Sequence, residues 1–265
     1  MDLGLRDRAF IVTGASGDIG GSTAVALGHE GASVLLLGRR ADALRAIAGR
    51  CTEAGGQAAA LTIDVTDPDA GERVTAACLD QFARLDGLVN AAGTSAVRAL
   101  DQLTDNEWQD QWELHVMAPM RLMRAAAPVM ADRGWGRIVN VCSSSGKRPS
   151  ATNMAYSVTK AARLSLSRAF ADQYAPRHVL VNAVAPGPVG ADLWLAPGGL
   201  ADQHAAAGGI SRDAVLSATA ARLPIGRLAT ADEIAAAIVF LCSDRASFVA
   251  GAAWSVDGGA VPVII

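Results

Sequence analysis

The chain has 265 residues, a formal net charge of −3, and a composition that is 51% hydrophobic but only 5% aromatic. It contains no basic run that would attract nucleic acid or an anionic membrane, and its apolar runs are far too short to cross a bilayer. The first residues lack the layout of a signal peptide, so we expect a cytoplasmic protein. The four cysteines and four histidines match no metal-binding pattern, so we expect free thiols and no metal site.

Short apolar runs alternate with helical stretches along most of the chain. The predicted strands are 9–12, 33–37, 58–63, 87–90, 137–142, 180–184 and 253–256. The predicted helices run from a glycine-rich turn to about residue 28, and then over 41–53, 68–84, 106–130, 155–174 and 231–241. The strands do not alternate apolar with polar residues, which is typical of a sheet buried on both faces. The order of elements therefore predicts one α/β domain over residues 1–265, with a parallel sheet and helices on both sides.

The segment 186–223 departs from this regularity, because three clusters of glycine and proline interrupt it. An insertion of this length in a compact domain is usually functional. We therefore expect a substrate lid at about 188–223. Its apolar side chains are Leu193, Trp194, Leu195 and Leu200.

A glycine-rich turn, Thr-Gly-Ala-Ser-Gly-Asp-Ile-Gly at 13–20, follows the first strand directly. Glycines let the backbone approach a pyrophosphate, and the free N–H groups of the next helix can bind it. Many turns contain three glycines, so an ordinary turn is the alternative. The position of this turn after the first strand favours a dinucleotide site.

Two arginines follow the second strand, in the sequence Leu-Gly-Arg-Arg at 37–40. An acidic residue here would accept the adenosine ribose hydroxyls of NAD, whereas Arg39 can pair with a 2′-phosphate. The pattern favours NADP(H), although NAD(H) stays possible and the pair could simply be solvated. Asp64 ends the third strand, where its carboxylate could meet the adenine amine or merely cap a turn.

Tyr156 and Lys160 lie four residues apart in a predicted helix and so share one of its faces. The chain has only two tyrosines and two lysines, so this pairing is informative. A free phenol has a pKa of about 10, and a fixed ammonium would bring it toward neutrality. An exposed Tyr–Lys pair is the alternative. The three serines at 143–145 end the fifth strand, and local sequence alone leaves the choice among their hydroxyls open.

Together these residues resemble the short-chain dehydrogenase/reductase family from about Leu5 to Gly259. The shared features are residues 13–20, Asp64-Val65, Asn-Ala-Ala-Gly at 90–93, Ser143 thirteen residues before Tyr156, the Tyr156–Lys160 spacing, Asn-Ala-Val-Ala-Pro-Gly at 182–187, and Val-Asp-Gly-Gly at 256–259. So many ordered matches are far more specific than any one motif.

The resemblance implies a Rossmann-like, doubly wound parallel sheet of about seven strands with helices on both faces. It implies that Ser143 polarises the substrate oxygen, that Tyr156 donates and accepts the proton, and that Lys160 holds the nicotinamide ribose. It also implies that residues 186–189 line the nicotinamide. The residues expected to bind the cofactor are Gly14, Ser16, Asp18, Ile19, Arg39, Asp64, Val65, Asn90, Ala91, Gly93, Tyr156, Lys160, Pro186, Gly187 and Val189.

Three positions depart from the family pattern. Asp18 occupies the place of the middle glycine, where a carboxylate would repel phosphate unless it pointed away or capped the helix. Ala91 replaces an asparagine, which is a mild change. His115 stands where the long helix usually carries an asparagine of a proton relay with Lys160. Its ring could relay protons or could be a satisfied core histidine.

We therefore expect an NADP(H)-dependent oxidoreductase that interconverts a ketone and a secondary alcohol, with an apolar or partly apolar small-molecule substrate. A nucleotide-binding regulatory or scaffold protein without turnover is the alternative. A non-redox enzyme such as a dehalogenase would need a filled cofactor pocket. The helices 106–130 and 155–174 resemble those used for subunit contacts, so we expect a homotetramer. The apolar surface for it would come from Met117, Met120, Met123, Leu164 and Leu166.

Overall fold

Seven parallel strands form one sheet in the computed structural model, which describes residues 1–262. The strands are β1 (Ala9–Thr13), β2 (Ser33–Gly38), β3 (Gln57–Thr62), β4 (Gly87–Asn90), β5 (Gly136–Val141), β6 (Val179–Pro186) and β7 (Ala253–Val256). Their order is β3-β2-β1-β4-β5-β6-β7, and every neighbouring pair is parallel. The predicted doubly wound sheet is therefore confirmed.

Helices cover both faces of this sheet. They are α1 (Asp18–His29), α2 (Ala41–Glu53), α3 (Ala70–Phe82), α4 (Asp105–Trp112), α5 (Ala118–Asp132), α6 (Met154–Tyr174), α7 (Asp192–Leu195), α8 (Leu200–Gly208), α9 (Arg212–Ala221) and α10 (Ala231–Cys242). One aliphatic core lies between the sheet and α1, α2 and α10. The other lies between the sheet and α3, α5 and α6. Central strands such as β1 and β5 are buried along their whole length, because both faces are covered.

The order of strands reverses between β1 and β4, which are neighbours in the sheet. The connections from these strands leave in opposite directions and open a crevice at their carboxyl ends. The turn after β1, the segment after β4 and the serines after β5 all reach this edge. The topology therefore brings together motifs that lie far apart in sequence.

The structure differs from the sequence-based expectation in two segments. The predicted helix 106–130 is two helices, α4 and α5, joined by a π turn at Glu113–Met117. The segment expected to be irregular contains the three short helices α7, α8 and α9. Gly209, at φ +61°, ends α8, and the Ser211 hydroxyl caps α9 by accepting the Ala214 N–H. Glycine and serine here mark helix ends rather than loop.

Met123 corrects one expectation about the surface. Its side chain is fully buried in the core between the sheet and α5, so it cannot contribute to a subunit contact. Met117, Met120, Leu164 and Leu166 are partly exposed. Within residues 1–262, none of the helices combines the length and the hydropathy needed to cross a bilayer.

Candidate active site

A cleft of about 1190 Å³ opens at the carboxyl edge of the sheet, where the order of strands reverses. All the predicted cofactor-binding and catalytic residues line it, except for Asn90 and His115. The glycine-rich turn lies along one wall, the serines after β5 and the start of α6 along another, and α7 with its flanking residues over the opening. A cleft of this volume has room for a nucleotide and a second small molecule.

The glycine-rich turn packs directly against the segment that follows β4. Gly14 has φ +65°, and a Cβ there would lie 2.9 Å from the Ala92 backbone. A Cβ on Gly20 would lie only 2.4 Å from the Gly14 carbonyl oxygen. Thr13 fixes the same contact, because its hydroxyl accepts the N–H groups of Ala91 and Ala92. This packing leaves the N-terminal turn of α1 facing the cleft.

The Asp18 carboxylate points away from its own helix and toward the lid. The N-cap of α1 is Gly17, and no side chain caps it. Instead, Asp18 Oδ2 accepts the backbone N–H of Asp192 at 2.7 Å, at the start of α7. Of the two alternatives left open by the sequence, the carboxylate therefore points away rather than capping the helix, and it joins the glycine-rich turn to the lid.

Two arginines stand at the far end of the cleft, beyond β2. The Arg39 side chain is 81% exposed, and its guanidinium lies 3.9 Å from Asp64. The Arg40 guanidinium donates to the Ser16 carbonyl and so contacts the glycine-rich turn. Asp64 itself accepts the backbone and side-chain hydrogens of Thr66, which hold its pKa below the ordinary value. Asp64 therefore caps a turn, which is one of the two alternatives that the sequence left open, and it also lines the cleft.

Tyr156, Lys160 and Ser143 converge beside β5. The Lys160 ammonium lies 5.3 Å from the centre of the Tyr156 ring and donates to the Val141 carbonyl at 3.0 Å. Ser143 Oγ accepts the Ser145 N–H, so the hydroxyl proton can be given to another acceptor. Ser143 is thereby held at the end of β5 with its hydroxyl in the cleft.

Burial and neighbouring charges set the proton equilibria of this cluster. Burial is the largest effect and raises the pKa of the Tyr156 phenol above its ordinary value, although hydrogen bonding to Ser143 and the charge of Arg163 act to lower it. Burial, and then the charge of Arg163, lowers the pKa of Lys160 to about 7. The Lys160 amine can therefore change its protonation at moderate pH, whereas the pKa of the Tyr156 phenol does not show the expected shift toward neutrality, because burial outweighs the nearby charge.

His115 lies behind the cleft wall, fully buried in the π turn between α4 and α5. Its Nε2 accepts the Thr94 N–H at 3.3 Å, so the proton is on Nδ1, which donates to the Thr159 hydroxyl at 3.0 Å. Thr159 in turn donates to the Tyr156 carbonyl. Burial and the charges of Lys160 and Arg163 hold the pKa of His115 well below its ordinary value. These are the contacts of a neutral histidine with both ring nitrogens satisfied.

Asn90 and Arg163 also lie behind the cleft wall. The Asn90 amide donates to the Asn140 side chain, and its carbonyl accepts from the guanidinium of Arg163. Arg163 was not predicted from the sequence, since a lone arginine on a helix is usually solvated. Its position three residues after Lys160, on the same helix face, is the signal that could have revealed it.

Leu193, Trp194 and Leu200 give the lid side of the cleft an apolar wall. Trp194 stacks on His204 of α8, with ring centroids 5.9 Å apart, which fixes the indole. Leu195 is more exposed than expected and does not line the cleft. The buried hydroxyl of Ser95, also on the wall, has no hydrogen-bond partner in the described part of the chain.

Known proteins share this sequence and architecture over nearly the whole chain. Residues 14–261 match a family model described as enoyl-(acyl carrier protein) reductase. The chain is 38% identical over 260 residues to cis-4-hydroxycyclohexanecarboxylate dehydrogenase of Sinomonas cyclohexanicum, covering 98% of each protein.

Two solved structures are similar throughout. One is L-sorbose reductase of Gluconobacter frateurii in complex with NADPH and L-sorbose, with a TM-score of 0.92, 33% identity and full coverage of both chains. The other is a putative NAD(P)-dependent gluconate 5-dehydrogenase of Beutenbergia cavernae with bound NADP, with a TM-score of 0.87 and 32% identity, covering 99% of this chain and 100% of that chain. The motifs, the sheet and these matches agree, and the chain belongs to the short-chain dehydrogenase/reductase family.

Proposed function

We propose that this protein is an NADP(H)-dependent oxidoreductase that interconverts a ketone and a secondary alcohol. The observation that carries the proposal is the convergence of Ser143, Tyr156 and Lys160 in the same cleft as the glycine-rich turn. Neither half of the cleft alone would indicate this chemistry. A nucleotide turn binds many cofactors, and a buried Tyr–Lys pair can be structural.

The residues of the cleft fit a dinucleotide. A side chain at Gly14 or Gly20 would collide with neighbouring backbone, so only glycine allows the turn to pack in this form, and the N-terminal turn of α1 offers N–H groups to a pyrophosphate. Arg39 and Arg40 supply cations for a 2′-phosphate. When bound, the nicotinamide exchanges a hydride with the carbon that carries the reacting oxygen. The structures of two relatives with NADPH or NADP support the same choice of cofactor.

Tyr156 supplies the proton in ketone reduction and removes it in alcohol oxidation. Ser143 donates a hydrogen bond to the substrate oxygen, which stabilises the negative charge that develops there. Lys160 stabilises the phenolate by its positive charge and holds the ribose by hydrogen bonds. A compact ammonium with three N–H donors can do both. The proton that reaches the alcohol oxygen therefore comes from the phenol, and the phenolate is re-protonated from solvent.

The lid wall favours a substrate with an apolar part. Leu193, Trp194 and Leu200 bury carbon surface, while Ser95 offers an unsatisfied hydroxyl for one polar substituent. The relatives act on a hydroxycyclohexane carboxylate and on L-sorbose, as their names state. We propose a compact ketone with an aliphatic or alicyclic skeleton and a hydroxyl or similar group.

The test is a panel of cyclic, aliphatic and hydroxylated ketones, assayed by the loss of nicotinamide absorbance with NADPH and, separately, with NADH. We expect turnover with at least one ketone and a preference for NADPH. Binding of NADPH without turnover on any ketone or on the matching alcohols would instead favour a regulatory or scaffold protein. Absence of nucleotide binding would contradict the proposal entirely.

A further inference from the structure

Arg163 is a cation enclosed in the protein, and no carboxylate within residues 1–262 pairs with it. Arg163 is only 1% exposed. The titratable groups whose charge would attract its guanidinium are the Cys142 thiol and the Tyr156 phenol, and both are neutral acids at ordinary pH. The buried arginine Arg137, by contrast, has Asp244 near its guanidinium. Arg163 therefore places an uncompensated positive charge inside the domain.

In the described part of the chain, the hydrogen bonds of the guanidinium go to backbone carbonyls only. It donates to the carbonyl oxygens of Asn90 and Ala92, in the segment between β4 and the cleft. Its Nε has no hydrogen-bond partner within residues 1–262. These contacts position the guanidinium without neutralising it.

Such an arrangement lowers the stability of the folded protein, which indicates that the charge serves a function. Burying a cation without a counter-ion is far more costly than burying an apolar side chain of the same volume. The carbonyls of Asn90 and Ala92 could also be satisfied by neutral donors. The charge itself is therefore the property that sets Arg163 apart from such replacements.

The register of α6 directs this charge at the reacting groups. Arg163 follows Lys160 by three residues and Tyr156 by seven, so all three lie on one face of the helix. The other titratable groups packed around them are His115 from the π turn and Cys142 from β5. The charge of Arg163 lowers the pKa of each of these groups.

We propose that Arg163 is a positioning residue of the active site: a second buried cation beside Lys160 that shifts proton exchange by the Tyr156–Lys160 pair to lower pH. Repulsion between the two cations makes Lys160 release its proton more readily, and attraction stabilises the Tyr156 phenolate. The consequence for turnover rests on the function proposed above. The effect on the two side chains does not.

The composition of the chain allows a direct test. With only two lysines, lysine labelled with ¹³C at Cε gives two NMR signals from the full-length protein, and Lys147→Arg assigns them. The Lys160 signal is followed against pH, without nucleotide or ketone, in the wild type and in Arg163→Met and Arg163→Gln. Arg168→Met is the matched control, because Arg168 is an exposed arginine on the same helix, paired with Asp172.

We expect the titration midpoint of Lys160 to rise by about one unit or more in both neutral variants, as removal of a nearby like charge requires. The control should leave it unchanged. The pH profile of ketone reduction should move in the same direction. Because the NMR titration needs no substrate, it can support or contradict the role of Arg163 whether or not a ketone is found.

An unchanged Lys160 midpoint in a folded Arg163→Met or Arg163→Gln protein would overturn the proposal. Arg163→Gln keeps donors for the carbonyls of Asn90 and Ala92, so it covers the case in which Arg163→Met does not fold. Failure of both variants to fold would assign Arg163 to stability alone and would also overturn the proposal.

Discussion

The ring of His115 connects three parts of the site at the scale of single atoms. It accepts from the backbone after β4, donates to Thr159, and through Thr159 reaches the backbone of Tyr156. Its edge also meets the Tyr156 ring, with centroids 5.3 Å apart. A neutral ring with both nitrogens engaged is suited to fixing Tyr156 rather than to exchanging protons.

We therefore predict that His115→Leu lowers the free energy of unfolding by about 1–3 kcal/mol, because the Thr94 N–H and the Thr159 hydroxyl lose their partner. His115→Asn should be less destabilising. Turnover of the folded His115→Leu enzyme should stay within a few-fold of the wild type from weakly acidic to weakly alkaline pH. Normal stability combined with slow, pH-sensitive turnover would show that the ring relays protons.

Arg39 is the residue on which the choice of cofactor is expected to depend. Arg39→Asp removes a cation and adds a repelling carboxylate, so the ratio of kcat/KM for NADPH to that for NADH should fall by about tenfold or more. Arg50→Asp makes the same charge change on an exposed residue outside the cleft and serves as the control. A wild type that already prefers NADH would refute the interpretation of residues 38–40.

Residue types and spacing sufficed to predict most of the residues that line the cleft, because most of its motifs follow strands that end at one edge of the sheet. Arg163 and the orientation of Asp18 could not be predicted in this way. Whether an arginine is solvated or enclosed depends on what packs over its helix, and the direction of a carboxylate depends on a lid that is distant in sequence.

At the scale of elements, the contact between α1 and α7 links the nucleotide end of the cleft to its lid. The Asp18 carboxylate accepts an N–H that the first turn of α7 leaves without a partner inside the helix. A helix of four residues has little stability of its own. Its position therefore depends on such external contacts.

Replacement of Asp18 should loosen α7, and the effect should be larger when the hydrogen-bond acceptor is removed than when it is kept. We predict that Asp18→Gly speeds hydrogen–deuterium exchange of the amides in α7 by about tenfold, since a charge-assisted hydrogen bond disappears. Asp18→Asn keeps an acceptor and should show a smaller change. Equal exchange in Asp18→Gly and the wild type would mean that the contact does not hold the lid.

The boundaries of α2, β4 and β7 agree with the sequence prediction, because these elements have clear apolar patterns and definite ends. The lid helices were missed since glycines at 199 and 209 suggested loop, although there they flank α8. The π turn was missed for a different reason. Single π turns inside α-helices are rare, so a continuous α-helix is the ordinary expectation for such a stretch.

At the scale of the whole molecule, the alternation of strands and helices was enough to predict the sheet. It did not reveal which helix faces stay exposed. Trp112 of α4 and Val158 of α6 are 40% and 43% exposed. Trp254 of the edge strand β7 and Phe248, which precedes this strand, are also exposed. Apolar side chains of this size on two separate surfaces are consistent with two kinds of subunit contact.

We predict a homotetramer in solution, with one contact through α4 to α6. Light scattering at low micromolar concentration should give four times the mass of the 27.1 kDa chain. Val158→Glu should weaken the assembly, because it buries a charge in that contact, whereas Leu100→Glu, at an exposed residue outside these helices, is the control. A monomeric wild type would contradict the prediction.

In the proposed function, Tyr156 carries the proton in an NADP(H)-dependent reduction of a ketone. The most direct measurement compares the wild type with Tyr156→Phe in two assays, NADPH affinity and ketone turnover. We expect nearly unchanged NADPH affinity and a loss of turnover by about a hundredfold or more, since only the proton donor is removed. Turnover within about tenfold of the wild type, with the cofactor bound normally, would contradict it.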